Sequence, residues 1–135
     1  MRILIDTHAF LWFIFADPRL SDAAADVIGE PDNERLLSIA SIWEIAIKVN
    51  TGKLALPDPL DRFLKDQLKK NRTRLLPISF DHAVNVHSLP YAHYPNGAEH
   101  KDPFDRLIVA QALIENLTVI SIESVFDQYG VRVRW

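Results

Sequence analysis

The chain has 135 residues, of which 48% are hydrophobic and 24% are charged, and this balance is typical of a globular protein with a buried core. It contains no cysteine, which excludes a disulfide framework, thiolate chemistry and zinc–sulfur sites and fits a reducing compartment. The formal net charge of −3 argues against a protein that coats nucleic acid through bulk electrostatics.

The apolar run at residues 9–16 is the longest near the start of the chain, and it is too short to span a bilayer. A signal peptide is disfavoured as well, because Asp6 and His8 lie just before this run and only Arg2 supplies basic charge. We therefore expect a cytoplasmic protein that does not associate with membranes.

Short apolar segments alternate with segments of helical spacing along the whole chain. Strands are predicted at residues 2–5, 35–39, 75–78, 118–122 and 131–133. Helices are predicted at residues 9–16, 21–28, 41–52, 60–70, 81–89, 103–116 and 124–129. This alternation predicts an α/β fold, a three-layer α/β/α sandwich with a central parallel sheet of four to five strands. Because no repeat or linker interrupts the pattern, we expect a single domain over residues 1–135.

The start of the helix at residue 103 carries two acidic residues. Pro103 suits the first helical position, which makes Asp102 the predicted N-cap and Asp105 the third helical residue. Residues three apart lie on one face of a helix, so both carboxylates point the same way from its positive end. Capping alone explains Asp102 equally well.

The helix after the second strand begins with a second acidic signal. Ser41 and Glu44 have the spacing of a capping box, which predicts that Ser41 is the N-cap and that Glu44 lies in the first turn. Lys48 follows Glu44 by one helical turn, and we interpret this spacing as an ordinary ion pair.

Acidic side chains are predicted to gather at one edge of the sheet. Asp6 follows the first strand, Glu123 ends the fourth, and Glu44 and Asp105 open helices, with Asp102 beside Asp105. In open α/β sheets, functional groups collect at the carboxyl ends of the strands. Each acid has a local explanation as a cap or turn residue, but their shared location favours one site.

Carboxylates within a few ångströms of one another repel, and a divalent cation removes that conflict. Ligation by oxygen alone favours Mg²⁺, with Mn²⁺ as a substitute, over zinc. Such an ion can activate water for hydrolysis of a phosphodiester. The four glycines of the chain form neither a P-loop nor a dinucleotide-binding fingerprint.

Several of these residues belong to motifs that together resemble a known family. The motifs are Asp6-Thr7-His8, Ser41-Ile42-Trp43-Glu44-Ile45, Gly52-Lys53-Leu54, His100-Lys101-Asp102-Pro103-Phe104-Asp105-Arg106 and Ala110-Gln111-Ala112. The combination resembles PIN-domain ribonucleases, and in particular the VapC-type toxins of bacterial toxin–antitoxin pairs. The resemblance runs nearly from end to end of the chain.

The resemblance implies a Mg²⁺-dependent endoribonuclease that forms a homodimer and pairs with a small antitoxin whose tail blocks the site. The residues that match the metal-site acids of the family are Asp6, Glu44 and Asp105, with Asp102 as a further acid. Ser121 and Glu123 stand where the family usually has a Thr and an Asp two residues apart. The longer Glu123 side chain puts a second metal in doubt, so a non-catalytic PIN-like module that binds RNA or protein is the alternative.

Five further polar residues near the predicted site have two interpretations each. Thr7 and Ser121 either orient a metal-bound water or satisfy backbone groups at the strand ends. His8 and His100 either contact a phosphate or, as is more common for a single histidine, have a structural role. Arg106 either holds RNA or a carboxylate, or pairs with an acid on the surface.

The first predicted helix is apolar on all sides and carries Trp12, Phe13 and Phe15. Aromatic side chains that exceed the needs of the core suggest a partner surface. We expect Trp43 and the tyrosines of the loop at residues 90–99 to join a surface for the antitoxin or for a second copy of the chain.

Overall fold

The computed structural model describes residues 1–135 and contains one five-stranded sheet in which all neighbouring strands are parallel. The strands are β1 (Arg2–Ile5), β2 (Glu34–Ser38), β3 (Thr73–Leu76), β4 (Thr118–Ile120) and β5 (Arg132–Arg134). Their order across the sheet is β3-β2-β1-β4-β5, so β1 is central. The predicted parallel α/β architecture is confirmed.

Six α-helices connect or flank these strands. They are α1 (Thr7–Ile14), α2 (Asp22–Gly29), α3 (Ile39–Asn50), α4 (Leu60–Lys70), α5 (Phe80–Asn85) and α6 (Pro103–Glu115). Two 3₁₀ helices, at Val86–Ser88 and Ser124–Tyr129, complete the structure. None of the helices has both the length and the apolar character needed to cross a membrane.

The core is divided between the two faces of the sheet because successive side chains of a strand point to opposite sides. On β1, Leu4 packs in a cluster with Ile108 and Val109 of α6, whereas Ile3 and Ile5 pack in a second cluster with α1, α2 and α4. Helices therefore cover both faces of the sheet, as the three-layer prediction requires.

Most predicted elements are present within about two residues of their predicted ends. Asp102 is the N-cap of α6, and its carboxylate accepts a hydrogen bond from the Asp105 N–H at 2.9 Å, as predicted. The first helix begins at Thr7 rather than residue 9, because the Asp6 side chain caps it.

Two predicted boundaries are wrong, and both concern site residues. Helix α3 begins at Ile39, because the Ser38 hydroxyl rather than Ser41 caps it, so Glu44 lies in the second turn and not in a capping box. Strand β4 stops at Ile120, because the Ser121 hydroxyl accepts the Glu123 N–H and bends the chain. Glu123 consequently lies beyond the strand, at the start of a 3₁₀ helix.

The division of α6 into a buried and an exposed face can be tested with two identical substitutions. Ile108 is fully buried in the core, whereas Ile114 of the same helix is 42% exposed. Ile108→Ala should lower the free energy of unfolding by about 2–5 kcal/mol, because it removes packed methyl groups and leaves a cavity. Ile114→Ala should change it by less than about 1 kcal/mol. Urea unfolding followed by circular dichroism measures both, and equal losses would contradict the assignment.

Candidate active site

A cleft of about 350 Å³ opens beside the residues that follow β1 and β4 and beside the first turn of α6. Its walls carry acidic, basic and aromatic side chains. The residues that line it are His8, Glu44, Ile47, Lys48, Thr51, Lys53, Tyr94, Asp102, Phe104, Asp105 and Glu123. Four of the five predicted acids therefore share one cleft.

Asp6, the fifth acid, is almost completely buried next to this cleft. One carboxylate oxygen accepts the Thr7 N–H at 2.7 Å and the other accepts the Ser121 hydroxyl at 2.8 Å. Burial raises the pKa of Asp6, although these two hydrogen bonds act in the opposite direction. Since Asp6 follows β1 and Ser121 follows β4, this hydrogen bond joins the ends of two neighbouring strands.

Asp105 shows most clearly that the acids act on one another. Burial, followed in order of size by the charges of Asp6, Asp102, Glu123 and Glu44, raises the pKa of Asp105 to about 9. Carboxylates raise one another's pKa only when they are close and poorly screened. Asp105 is therefore protonated at neutral pH when no cation balances this charge.

Glu44 is paired with a lysine inside the cleft. Lys48 Nζ lies 3.0 Å from Glu44 Oε2, and this i,i+4 pair confirms the predicted ion pair. Lys53 reaches the same cleft because Gly52 adopts a φ of +79° after α3, a conformation that favours glycine.

Lys48, Lys53 and Tyr94 also line the cleft, and no site role was predicted for them from the sequence. The available signals were the position of Lys48 one turn after a site acid, and the Gly52 turn that directs Lys53 back. Nothing in the sequence indicated the placement of Tyr94, because it depends on the fold of the loop at residues 90–99.

The hydroxyls of Thr7 and Ser121 both have protein partners. Thr7 is buried and its hydroxyl donates to Ser41 Oγ at 2.8 Å, which links α1 to α3. Ser121 is equally buried and donates to Asp6, as described above. Both hydroxyls thus donate to side chains, and the predicted role in orienting a metal-bound water stays a prediction.

In the structure His100 and Arg106 contact other parts of the protein, which for His100 is the structural role given above as the more common interpretation. His100 is completely buried and bonds to Tyr129 and Asp105, so no phosphate can reach it. Arg106 is also buried and donates to the backbone carbonyls of Leu89 and Pro90 and to the Tyr129 hydroxyl. His8 keeps its place at the edge of the cleft, where its ring stacks on Trp12.

The donor set of the cleft matches a hard divalent cation in its chemistry. The acids supply carboxylate oxygens alone, and the pKa of Asp105 is raised first by burial and then by neighbouring negative charge that a cation would balance. The positions are less compact than predicted, because no three acidic or histidine side chains form a group close enough to hold an ion. Glu44 is engaged with Lys48, and Asp102 holds the start of α6.

The fold and this cleft define a parallel α/β domain with an acidic centre at the carboxyl edge of its sheet. The family model of the PIN domain matches residues 3–131, and the chain belongs to the PIN-domain family.

The chain is also similar to individual members of this family. It is 34% identical over 103 residues to "Ribonuclease VapC16" of Mycobacterium tuberculosis, a match that covers 66% of this chain and 72% of that protein. Two solved structures share its fold: VapBC2 from Rickettsia felis bound to a promoter DNA fragment, and VapBC-1 from nontypeable Haemophilus influenzae. The first has a TM-score of 0.66 at 14% identity and covers 99% of this chain and 98% of that one. The second has a TM-score of 0.66 at 15% identity and covers 99% and 97%.

The charge around Asp105 predicts a stability change that depends on pH. The folded protein keeps a proton on Asp105 up to a pH of about 9, whereas an unfolded carboxyl with a pKa of 3.8 releases it. The contribution of Asp105 to the free energy of unfolding is therefore at its maximum below pH 3.8, and it is lost as the pH rises towards 9. In EDTA, Asp105→Asn should raise the melting temperature by on the order of 5 °C at pH 8 and by less at pH 5.

Differential scanning fluorimetry at several pH values measures this difference. Asp66→Asn, on the exposed face of α4, is the matched control, and its effect should not depend on pH in this range. A gain for Asp105→Asn that is the same at pH 5 and pH 8 would contradict the charge argument.

Proposed function

We propose that this protein is a Mg²⁺-dependent endoribonuclease that hydrolyses RNA phosphodiesters and acts as the toxin of a type II toxin–antitoxin system. The observation that carries the proposal is the environment of Asp105, where burial and then the charges of four other carboxylates raise the pKa to about 9. A cluster of this kind costs stability and is useful when a cation occupies it. The similarity to Ribonuclease VapC16 supports RNA as the substrate.

In this proposal Asp6, Glu44 and Asp105 would hold the ion, and Asp102 and Glu123 would assist. The bound ion would supply a polarised phosphate and a water of lowered pKa. The protein contributes the positions of the ligands: the Ser121 hydroxyl and the Thr7 N–H hold Asp6.

The lysines of the cleft would bind the substrate backbone. Lys48 is paired with Glu44, and a cation that takes up this carboxylate would leave Lys48 available for a phosphate oxygen. Lys53 lines the same cleft and adds a second positive charge. Two lysines beside the acids give an acidic protein a local site for an anionic polymer.

A non-catalytic PIN-like module that binds RNA or protein is the second candidate. It is favoured by Glu123, which is one methylene longer than the aspartate usual in the family, and by the Lys48–Glu44 ion pair, which occupies one of the proposed ligands. Calorimetric titration with Mn²⁺ separates the two candidates, because only the nuclease should combine Mn²⁺ binding with RNA cleavage.

The proposed partners are a second copy of the chain, which would form a homodimer, and a small antitoxin. The proposed location is the cytoplasm, which fits a chain without cysteine. Large apolar side chains are exposed at several positions, and two of them stand out. Trp43 is 58% exposed and packs edge-to-face on Phe104 beside the cleft, whereas Phe80 on α5 is 80% exposed. Exposed apolar side chains of this size favour protein–protein contacts. The similarity of the fold to two solved VapBC structures agrees with this assignment.

The nuclease activity can be tested on total RNA. Wild-type protein should cleave RNA in Mg²⁺ or Mn²⁺ and should leave it intact in EDTA. Asp105→Asn should reduce cleavage to the level of a reaction without protein, because it removes a proposed ligand while keeping the shape of the side chain. Denaturing gel electrophoresis measures the products, and Asp66→Asn should cleave as the wild type does.

Activity of Asp105→Asn equal to that of the wild type would refute the assignment of this residue. Equal cleavage in EDTA and in Mg²⁺ would refute metal dependence. Wild-type protein that binds Mn²⁺ but cleaves no RNA would favour the binding module.

The proposed homodimer can be tested by sedimentation equilibrium. The chain has a mass of 15.4 kDa, and the protein should sediment with twice this mass at micromolar concentration. A monomer at all concentrations, with no partner retained during purification, would count against both proposed partners.

A further inference from the structure

The Tyr129 hydroxyl lies at the centre of a buried hydrogen-bond network behind the cleft. Arg106 Nη1 lies 3.1 Å from it and the Ala92 N–H lies 3.3 Å from it. His100 Nδ1 is 2.8 Å away, and the other ring nitrogen of His100 lies 3.0 Å from Asp105 Oδ2. The network therefore runs from Arg106 of α6 to Tyr129 in the 3₁₀ helix at Ser124–Tyr129. From there it passes through His100 to Asp105 in the first turn of α6.

The donors and acceptors in this network can be assigned in only one direction. A guanidinium and a backbone N–H can only donate, so the Tyr129 oxygen accepts from both Arg106 and Ala92. Its own proton then goes to His100 Nδ1, at 2.8 Å, in preference to the His100 carbonyl at 3.4 Å. His100 Nδ1 is an acceptor, and the ring proton must be on Nε2.

Nε2–H of His100 consequently donates to Asp105 Oδ2. Burial lowers the pKa of His100, which agrees with a neutral ring that carries a single proton. The ring has little freedom to turn, because it is completely buried with the rings of Tyr94, Phe126 and Tyr129 at centroid distances of 5.8 Å.

The other end of the network is fixed on the backbone. Besides Tyr129, the Arg106 guanidinium donates to the carbonyls of Pro90 at 3.1 Å and Leu89 at 3.0 Å, and the Tyr91 ring covers its face at 4.4 Å. Arg106 therefore has no freedom to release Tyr129 in exchange for solvent.

We propose that Arg106, Tyr129 and His100 form a relay of positioning residues that selects the Nε2–H tautomer of His100 and so holds the carboxyl group of Asp105 towards the cleft. The proposal rests on the assignment of Asp105 as a metal ligand under the proposed function. Hydrogen bonds from such outer residues typically change metal affinity by about 10–100-fold.

The tautomer of His100 gives a direct test in the metal-free protein. Two-dimensional ¹H–¹⁵N NMR of the imidazole rings distinguishes a protonated Nε2 from a protonated Nδ1. Wild-type His100 should show one tautomer with the proton on Nε2. A proton on Nδ1, or a mixture of the two tautomers, would overturn the relay, and neither result depends on nuclease activity.

Tyr129→Phe tests the role of the relay, since it removes the hydroxyl and keeps the ring. Without this hydroxyl, the His100 ring should no longer be restricted to the Nε2–H tautomer. Mn²⁺ binding measured by calorimetry should weaken by about 10–100-fold. Tyr91→Phe is the matched control, because Tyr91 touches the same arginine while its hydroxyl takes no part in the relay. It should leave the tautomer and the Mn²⁺ affinity unchanged.

Each result of this comparison bears on the proposal. An unchanged tautomer in folded Tyr129→Phe would overturn the relay, and a changed tautomer with less than a twofold change in Mn²⁺ affinity would overturn its effect on Asp105. If Tyr129→Phe does not fold, Arg106→Lys loosens the same relay from its other end, and the same loss of affinity is expected. Wild-type protein that binds no Mn²⁺ would refute the proposed function and the metal-related role of the relay, whereas the tautomer would still report on the hydrogen bonds.

Discussion

The burial of carboxyl groups at the edge of a parallel sheet is the constraint on which the rest of this structure depends. Asp6 and Asp105 are both largely buried, and burial is the main reason that the pKa of each is raised. A raised carboxyl pKa means that the folded state disfavours the charged form. The charged form of each carboxyl would be more stable in water. The surrounding residues must therefore hold both side chains in their buried positions.

The carboxyls are held by polar links between elements that lie far apart in the chain. Ser121 connects the end of β4 to Asp6, and the Thr7–Ser41 bond connects α1 to α3. A further buried network fixes α6, the helix that carries Asp105. Its members connect β2, α5 and α6 through side-chain hydrogen bonds, and they are Ser38, Gln111, His82 and Glu115. Such networks specify a single arrangement of the elements when all their groups are paired, and no buried side-chain polar atom here is without a partner.

The parallel fold and the edge that carries the acids could be predicted from the sequence, because hydrophobic periodicity and helix caps are local signals. Asp102 illustrates this, since Pro103 and the three-residue spacing to Asp105 indicated its role as the N-cap. Ser41 illustrates the limit. It was predicted to cap α3, but Ser38 caps this helix in the structure and the Ser41 hydroxyl accepts a hydrogen bond from Thr7 of another helix. The partners of His100 and Arg106 were not predicted, because both residues bond to Tyr129, which lies more than 20 residues away in the sequence.

Under the proposed function, the ion pair between Lys48 and Glu44 accounts for an acidic cleft that is stable without a cation and can still bind one. The pair is partly exposed, with its side chains 32% and 10% accessible, and such pairs contribute on the order of 1 kcal/mol. A divalent ion interacts with the same carboxylate at shorter distance and with twice the charge, so Coulomb's law favours the ion over the lysine. Under the proposed function, Lys48 therefore neutralises Glu44 in the metal-free protein and becomes free when the ion binds. Lys48 would then have two roles. It would pair with Glu44 in the metal-free cleft, and its ammonium group would lie close to a phosphate that approaches the bound ion.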